Sequence, residues 1–377
     1  MKLPDFKLER YFAKYEFNSP YLLCCSDCES FTVKEILELA DASAADALEK
    51  LWLGYTESQG HPELRGTIAN LYREASEKNV LVCSGAEEAI FIFMNIALNK
   101  GDHIIVQYPC YQSLFEIARS IGCEITQWEM KEENNWQPDL DILKNNIKAN
   151  TKAIIINSPH NPTGYLMSQD MLQKIIDLAR QKNILLFSDE VYRGLEYNVT
   201  DQLAAACDIY ENAVSLGVMS KTYGLAGLRI GWIVTRNQEI YQKMASFKDY
   251  TSICNSAPSE LLAILALRNH QKLALRNLKI IENNLQLLDQ FFTKYKHLFN
   301  WQKPKAGPIA FPSIKGDRNV ADFCHDLVTS KGVLLLPGNY YDFGQRNFRI
   351  GFGRRNLPQC LAGLEQYVSE EVSHGSD

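Results

Sequence analysis

One lysine of the sequence stands in a setting that suits an amine nucleophile. Lys221 lies in the segment 220–229 (SKTYGLAGLR), which is rich in small residues and ends at Arg229. A lysine beside a cationic neighbour or in a desolvated pocket has a lowered pKa, and its neutral amine attacks carbonyl carbons. The glycines allow the backbone to approach a ligand closely. An ordinary surface lysine is the alternative interpretation from this segment alone.

Two further polar residues follow apolar segments. Asn161 stands in the turn 158–164 (SPHNPTG), whose prolines and glycine fix the backbone. Asp189 ends another apolar segment, and Tyr192 comes three residues later. A carboxylate at the end of a buried strand is dehydrated and needs a cationic or donating partner. Without further context, a helix N-cap is the preferred interpretation of Asp189.

The segment 84–87 (SGAE) follows a further apolar run and opens a helical pattern. Free backbone N–H groups at a helix N-terminus attract anions such as phosphate. Taken alone this signal is weak, because Ser-Gly is also a common connection between a strand and a helix.

Apolar runs and amphipathic helical stretches alternate through the middle of the chain. Strands are predicted at 80–83, 103–107, 124–127, 153–157, 184–188, 213–216 and 230–235. Helices are predicted between them, for example at 86–98, 111–121 and 169–182. This alternation indicates a mostly parallel sheet with helices on both faces, and such sheets bind ligands beyond the carboxyl ends of their strands.

The predicted organisation is two domains. A long helical stretch covers about 259–299, and a Pro/Gly-rich segment with a short α+β pattern follows it. We expect a large domain at 41–280, a smaller domain at 281–377, and an N-terminal segment, 1–40, that joins the smaller domain.

Composition excludes several classes of protein. The 377 residues are 46% hydrophobic and 22% charged with a net charge of −6, which is unlike a disordered chain or a nucleic-acid binder. No apolar run is long enough to span a membrane, and the charged N-terminus lacks a signal core, so we expect a cytoplasmic protein. Ten cysteines form no disulfide framework. Cys24, Cys25 and Cys28 lack a second ligand pair, so no metal site is expected.

Seven motifs stand in a fixed order along the chain. They are Tyr55-Thr56 with Gly60 and Leu64-Arg65, Ser84-Gly85-Ala86-Glu87, Pro109-Cys110-Tyr111, Asn161-Pro162-Thr163-Gly164, Asp189–Tyr192, Ser220-Lys221 with Arg229-Ile230-Gly231, and Phe348-Arg349-Ile350-Gly351. In this order they resemble class I/II aminotransferases, which depend on pyridoxal 5′-phosphate (PLP) and have fold type I. The resemblance implies an α/β fold: a large domain with a mostly parallel seven-stranded sheet flanked by helices, and a smaller α+β domain.

The resemblance also implies roles around the cofactor ring. Lys221 carries the cofactor covalently and moves a proton at the substrate Cα. Asp189 pairs with the pyridine nitrogen, so that the ring serves as an electron sink. Asn161 and Tyr192 hydrogen-bond the phenolic oxygen, and Tyr111 stacks on the ring.

Further roles concern the phosphate and the substrate. The backbone of Gly85, Ala86 and Glu87 holds the phosphate together with Ser220 and Arg229. Tyr55 reaches the phosphate in the neighbouring subunit, which makes the active unit a homodimer with shared sites. Arg349 grips the substrate α-carboxylate, beside Asn161.

Two departures from the family pattern stand out. Val218 occupies the position, three residues before the lysine, where many relatives have a hydroxyl that binds the phosphate. The segment 22–30, with its three cysteines, stands where relatives often have a glycine beside the substrate carboxylate. Substrate specificity is least predictable there.

The function predicted is transfer of an α-amino group between an L-amino acid and a 2-oxo acid. Alternatives on the same scaffold are a carbon–sulfur lyase, a racemase or a cyclase of the capreomycidine-synthase type, which shares the motif at 220–229. A non-catalytic DNA-binding regulator is disfavoured, since only about 40 residues precede the family region and they carry no basic cluster. The amino donor stays open: four tyrosines favour an apolar or aromatic side chain, or simply pack. They are Tyr21, Tyr111, Tyr340 and Tyr341.

Overall fold

The computed structural model of the chain describes residues 2–40 and 43–374. Helices and strands alternate over most of this length. The helices are α1 (Lys7–Tyr15), α2 (Val33–Leu39), α3 (Ala44–Glu49), α4 (Pro62–Ala69), α5 (Ala86–Ala97), α6 (Ser113–Ile121), α7 (Leu140–Asn145), α8 (Gln169–Lys182), α9 (Ala206–Ile209), α10 (Gln238–Lys248), α11 (Ala257–Arg268), α12 (His270–Lys294), α13 (Val320–Lys331) and α14 (Leu357–His374). The strands are β1 (Tyr21–Leu22), β2 (Val80–Cys83), β3 (His103–Tyr108), β4 (Glu124–Glu129), β5 (Thr151–Asn157), β6 (Leu185–Asp189), β7 (Ala213–Val218), β8 (Gly231–Thr235), β9 (Phe299–Asn300), β10 (Ile309–Ala310), β11 (Ser313–Ile314), β12 (Val333–Leu334), β13 (Leu336–Pro337) and β14 (Phe348–Gly351).

The seven strands β2–β8 form a single sheet in the order β2-β8-β7-β6-β5-β3-β4. Strand β8 is antiparallel to both of its neighbours, and the remaining pairs are parallel. The predicted mostly parallel seven-stranded sheet is confirmed. Strand β7 runs two residues further than predicted, because its ladder with β8 continues through Gly217 and Val218.

Helices cover both faces of this sheet. In β5, Ala153 and Ile155 belong to a core cluster shared with α5 and α6, whereas Ile154 and Ile156 belong to a second cluster shared with α8. Successive strand residues face opposite sides, so a strand covered on both faces must be apolar throughout. This burial explains why the strands were visible as continuous apolar runs.

The carboxyl ends of the parallel strands meet at one edge, where their register is fixed. Asn157, the last residue of β5, pairs with Asp189, the last residue of β6. The side-chain amide of Asn157 donates to the carbonyl oxygen of Asp189 at 2.9 Å, and its backbone N–H donates to Oε1 of Gln107 at 2.9 Å. These bonds hold the ends of β3, β5 and β6 together.

The two ends of the chain meet beside this edge. Strand β1 pairs with β12, and β14 lies between β10 and β13 in a small antiparallel sheet. The helical stretch expected over 259–299 is two helices, because the backbone of Asn269 leaves helical geometry (φ −113°, ψ 20°). Helix α12 continues through residue 280, and the predicted domain boundaries stay a prediction. None of the described helices is long and apolar enough to cross a bilayer.

Candidate active site

A cavity of about 510 Å³ opens at the carboxyl edge of the large sheet. Its wall combines residues that follow the strands with residues from both ends of the chain. The predicted site residues that line it are Ala86, Glu87, Tyr111, Asn161, Asp189, Tyr192, Ser220, Lys221, Arg229 and Arg349. Residues separated by more than 250 positions in sequence therefore face a common space.

Asp189 lies in the wall of this cavity at the end of β6 and is only 7% exposed. Burial raises the pKa of its carboxyl to about 7, although the backbone N–H of Val191 and the charge of Lys221 act in the opposite direction. Residues 191–194 form a turn rather than a helix, so Asp189 does not cap a helix. A carboxylate so poorly solvated gains most from a cation brought by a ligand.

Lys221 extends into the cavity between Ser26 and Tyr192. Its Nζ donates to Oγ of Ser26 at 2.8 Å and lies 5.9 Å from the centre of the Tyr192 ring. Burial lowers the pKa of the amine; the charge of Arg349 acts in the same direction, and the carboxylate of Asp27 opposes both. A lowered pKa increases the fraction of neutral amine, which is the nucleophilic form.

Arg349 projects from β14 and is 2% exposed. Its Nε donates to the carbonyl oxygen of Cys24 at 2.9 Å, and its Nη1 donates to the hydroxyl of Tyr341 at 2.6 Å and to Oδ1 of Asn161 at 3.3 Å. All three acceptors are neutral, and within the described residues the guanidinium forms no ion pair with a carboxylate. Its charge is therefore available to an anion bound in the cavity.

The start of α5 forms a close-packed corner with Arg229 and β8. Gly85 has a φ of +88°, and a Cβ there would lie 2.6 Å from Nη2 of Arg229. A Cβ at Gly231 would lie 2.6 Å from the carbonyl carbon of Gly85 and 2.8 Å from the backbone nitrogen of Ala86. Glycine at both positions lets a helix N-terminus and a guanidinium lie side by side, which suits an anion such as phosphate.

Comparison with known protein families identifies the family to which this chain belongs. Residues 22–359 match the family model described as aminotransferase class I and II. The chain belongs to this family.

Several relatives resemble the chain over nearly its whole length. A PLP-dependent aminotransferase from Streptococcus suis 89-1591, known as a crystal structure, is 32% identical with a TM-score of 0.93, over 98% of this chain and 99% of that one. Capreomycidine synthase from Streptomyces vinaceus is 28% identical, over 97% of this chain and 92% of the relative. Aspartate aminotransferase from Pyrococcus horikoshii is 28% identical, over 87% of this chain and 86% of the relative. The predicted family, fold type and cofactor class are confirmed.

The unsatisfied groups of the cavity fit the family's cofactor, PLP. The hydroxyl of Tyr192 is buried without a hydrogen bond to any described residue. Burial raises its pKa, while the charge of Arg349 and the nearby Ser26 hydroxyl lower it. An unpaired hydroxyl, the buried carboxylate of Asp189 and the corner at Gly85 suit the phenolic oxygen, the ring nitrogen and the phosphate of PLP.

The N-terminal segment supplies a part of the site that sequence analysis did not assign. Ser26, Asp27 and Glu16 line the cavity. Asp27 accepts hydrogen bonds of 3.0 and 2.8 Å from Nε and Nη2 of Arg354. The sequence signal was the departure from the family pattern at 22–30, but nothing local indicated the partner of Asp27.

Three further residues and the cysteines were also singled out from the sequence. Tyr55 lies outside the cavity and is 84% exposed, and Val218 lines the cavity without offering a hydroxyl. Tyr111 lines the cavity, with its ring 4.9 Å from that of Phe6. All ten cysteines are free, and in the ranges 2–40 and 43–374 no group of three or more side chains is arranged to hold a metal ion.

The corner at Gly231 generates a test of the phosphate site. We expect Gly231→Ala to weaken PLP binding by at least about tenfold, because the new Cβ must displace the backbone at the start of α5. Absorbance titration of cofactor-free protein with PLP measures the affinity.

Gly227→Ala is the matched control. A Cβ at Gly227 would have no heavy atom within 4 Å, so this variant should bind PLP like the wild type. Equal affinities for both variants, with unchanged melting temperatures, would contradict the assignment of this corner to the phosphate.

Proposed function

We propose that the protein transfers the α-amino group of an L-amino acid to a 2-oxo acid, with PLP as its cofactor. The observation that carries the proposal is the convergence of three groups on one cavity: Lys221, Asp189 and Arg349. Each suits a different task of amino transfer, namely holding the cofactor, stabilising its ring charge and binding a carboxylate.

The residues around the ring control where protons lie. Bound PLP supplies an electron sink for the electron pair left at the substrate Cα when its proton is removed. The carboxylate of Asp189 keeps a proton on the pyridine nitrogen, since a buried charge is stabilised by an opposite one. The amine of Lys221 holds the cofactor and later moves the proton at the substrate Cα. Tyr192 and the side-chain amide of Asn161 donate to the phenolic oxygen.

Further residues hold the phosphate and orient the substrate. Arg349 binds the α-carboxylate in a bidentate manner, which directs the Cα–H bond of the substrate toward Lys221. Tyr111 covers the ring. The phosphate is bound by Arg229, by Ser220 and by the backbone of residues 85–87, because Val218 cannot contribute a hydroxyl.

The proposed active unit is a homodimer with shared sites in the cytoplasm. Trp52, Leu53 and Tyr55 are 78%, 76% and 84% exposed, which is unusual for three neighbouring large apolar side chains and supports their burial by a second copy. Lys248 donates to the carbonyl oxygen of Ser58 at 2.6 Å and so anchors the end of this segment. The free thiols of all ten cysteines support a reducing compartment.

A second candidate function is cyclisation of an amino acid. It is favoured by the similarity to capreomycidine synthase over 97% of this chain. The same Lys, Asp and Arg serve both reactions, so the product decides between them. The carbon–sulfur lyase alternative stays a prediction that no observed feature favours.

A product assay tests the proposal. With PLP and a panel of L-amino acids, the protein should convert 2-oxoglutarate or pyruvate into glutamate or alanine, measured by chromatography. Lys221→Ala should be inactive with every donor, whereas Lys279→Ala, which removes an exposed lysine of α12, should keep full activity. Ammonia or a cyclised product without amino transfer would contradict the proposal.

Asp189→Asn should lower the turnover rate about 30- to 1000-fold while the cofactor still binds. A charge-assisted hydrogen bond in a dry site contributes roughly 2–4 kcal/mol, and that difference converts to this range of rates. Stopped-flow measurement of the amino-acid half-reaction reports the rate. A nearly unchanged rate would show that Asp189 is only structural.

The melting temperature of the same variant shows whether the substitution has destabilised the protein. Because burial raises the pKa of Asp189 from 3.8 to about 7, the folded cofactor-free protein binds its proton more tightly than the unfolded chain. The contribution of Asp189 to the free energy of unfolding of the wild type is therefore lost as the pH rises from about 4 to 7. Asn does not titrate, so at pH 8 the cofactor-free variant should melt at least as high as the wild type.

Subunit mixing tests the shared site. Tyr55→Phe and Lys221→Ala homodimers carry a lesion in both sites, whereas a mixed dimer carries both lesions in one site and leaves the other intact. Mixing after mild dissociation should restore up to about one wild-type site per heterodimer. The assay should use limiting PLP, because one phosphate hydrogen bond contributes only about 1 kcal/mol. Verified exchange without recovered activity would contradict the model.

A further inference from the structure

The outer wall of the cavity carries three carboxylates, and one of them has no hydrogen-bond or ion-pair partner among the described residues. Asp27 is held by Arg354, and Glu9 accepts a hydrogen bond from the hydroxyl of Tyr111 at 3.0 Å. Glu16 also lines the cavity, but in the part of the chain that is described its carboxylate forms neither a hydrogen bond nor an ion pair. A half-buried carboxylate that lies near other acids and lacks a partner can pair with a positively charged ligand.

Two further features show that the cavity is a ligand site. Among the residues that the structure describes, the buried hydroxyl of Tyr192 has no hydrogen-bond partner, and the fully buried guanidinium of Arg349 donates only to neutral acceptors. Both line the same cavity as Glu16. The unpaired carboxylate therefore belongs to a space that also holds a binding group for an anion.

Helix α1 sets the spacing between the two charges. The Cζ of Arg349 lies 5.8 Å from the centre of the Phe12 ring. Glu16, whose backbone is still helical, follows Phe12 by four residues and so lies on the same face, roughly 6 Å further along the helix axis. Phe12 lines the cavity beside Arg349, whereas Phe6 and Leu8, which also line it, lie on the N-terminal side of Phe12, away from Glu16. A ligand that is bound at Arg349 and directed toward Glu16 thus passes the Phe12 ring before it reaches the negative charge.

The surrounding charges favour a cation at that position and disfavour an anion. Burial raises the pKa of Glu16; Arg354 and Arg349 lower it, and the carboxylates of Asp27 and Glu9 raise it. The guanidinium that could have received a second substrate carboxylate, Arg354, already forms a two-bond pair with Asp27. A substrate with a side-chain carboxylate would find the guanidinium of Arg354 already paired, and the carboxylates of Asp27, Glu9 and Glu16 would lie nearby.

We propose that the amino-acid substrate has a cationic side chain with a stem of several methylenes, and that Glu16 selects it by pairing with the distant charge. The inference rests on the proposed function, because it uses Arg349 as the site of the α-carboxylate. The proposed substrate differs from one of the aspartate type, and it adds a charge at the end of the apolar stem that the tyrosines favour.

Unreactive carboxylates test the inference on the PLP-loaded enzyme. We would measure binding of 6-guanidinohexanoate, hexanoate and adipate by calorimetry; these carry a cationic, neutral or anionic end and have no primary amine that could react with PLP. Wild-type protein should bind 6-guanidinohexanoate about five- to tenfold more tightly than hexanoate, and adipate most weakly, as expected for a partly exposed ion pair. Glu16→Gln should abolish the preference, and Glu16→Lys should shift it toward adipate.

Glu282→Gln is the matched control, since Glu282 is an exposed carboxylate of α12 outside the cavity wall and should leave all three affinities unchanged. Equal wild-type affinity for the cationic and neutral ligands, or a preference that survives Glu16→Gln, would overturn the inference. Transamination of neutral donors with such equal affinities would leave the proposed function intact. Conversely, a Glu16-dependent preference without any transamination would support the cationic site and refute the proposed reaction.

Discussion

Burial of the Asp189 carboxylate at the end of β6 is the constraint on which the site depends. Removing a carboxylate from water costs several kcal/mol unless an opposite charge or several donors replace the water. Here one backbone N–H at 3.2 Å is the hydrogen bond that the described residues give the carboxylate, and its pKa rises accordingly. The bonds of Asn157 to the Asp189 backbone prevent the strand end from moving toward solvent. The fold therefore keeps a poorly solvated carboxylate, which a cation bound in the cavity would stabilise, and binding of such a cation would also stabilise the folded protein.

The three arginines that line the cavity fall into two groups. Arg354 and Asp27 compensate each other within the chain, and together they give the cavity wall a fixed shape. Arg349 and Arg229 are bonded to neutral acceptors alone among the described residues, and so they keep their charge for ligands. Since an arginine can make a two-pronged bond to only one carboxylate at a time, the pairing of Arg354 with Asp27 leaves Arg349 and Arg229 as the arginines of the cavity wall that can bind an anion.

The floor of the site was predictable from sequence, and its outer wall was not. Strands covered on both faces give apolar runs. Asp189 ends one such strand and Lys221 comes three residues after another, so their common edge could be inferred. The contacts of Ser26 with Lys221 and of Asp27 with Arg354 join residues 195 and 327 positions apart. These contacts depend on the pairing of β1 with β12. Strands of only two residues are too short to show a periodic pattern in the sequence. The break at Asn269 was missed for a similar reason, since one residue separates two helical patterns.

The cysteine-rich segment explains how the outer wall is attached to the floor. A side chain at Gly351 would collide with the backbone of Cys25, and one at Gly353 would collide with that of Asp27, so the segment lies directly on β14 and on the residues after it. Cys24 and Cys28 are fully buried and free, which is how cysteine behaves as a small apolar residue in a tight space. The carbonyl oxygen of Cys24 meanwhile orients Arg349. Small buried side chains in this segment thus fix the position of Arg349, while Ser26 and Asp27, which lie between Cys24 and Cys28, face the cavity. Substitutions in the N-terminal segment and α1 can therefore alter the outer wall of the cavity without disturbing the strand end that carries Asp189.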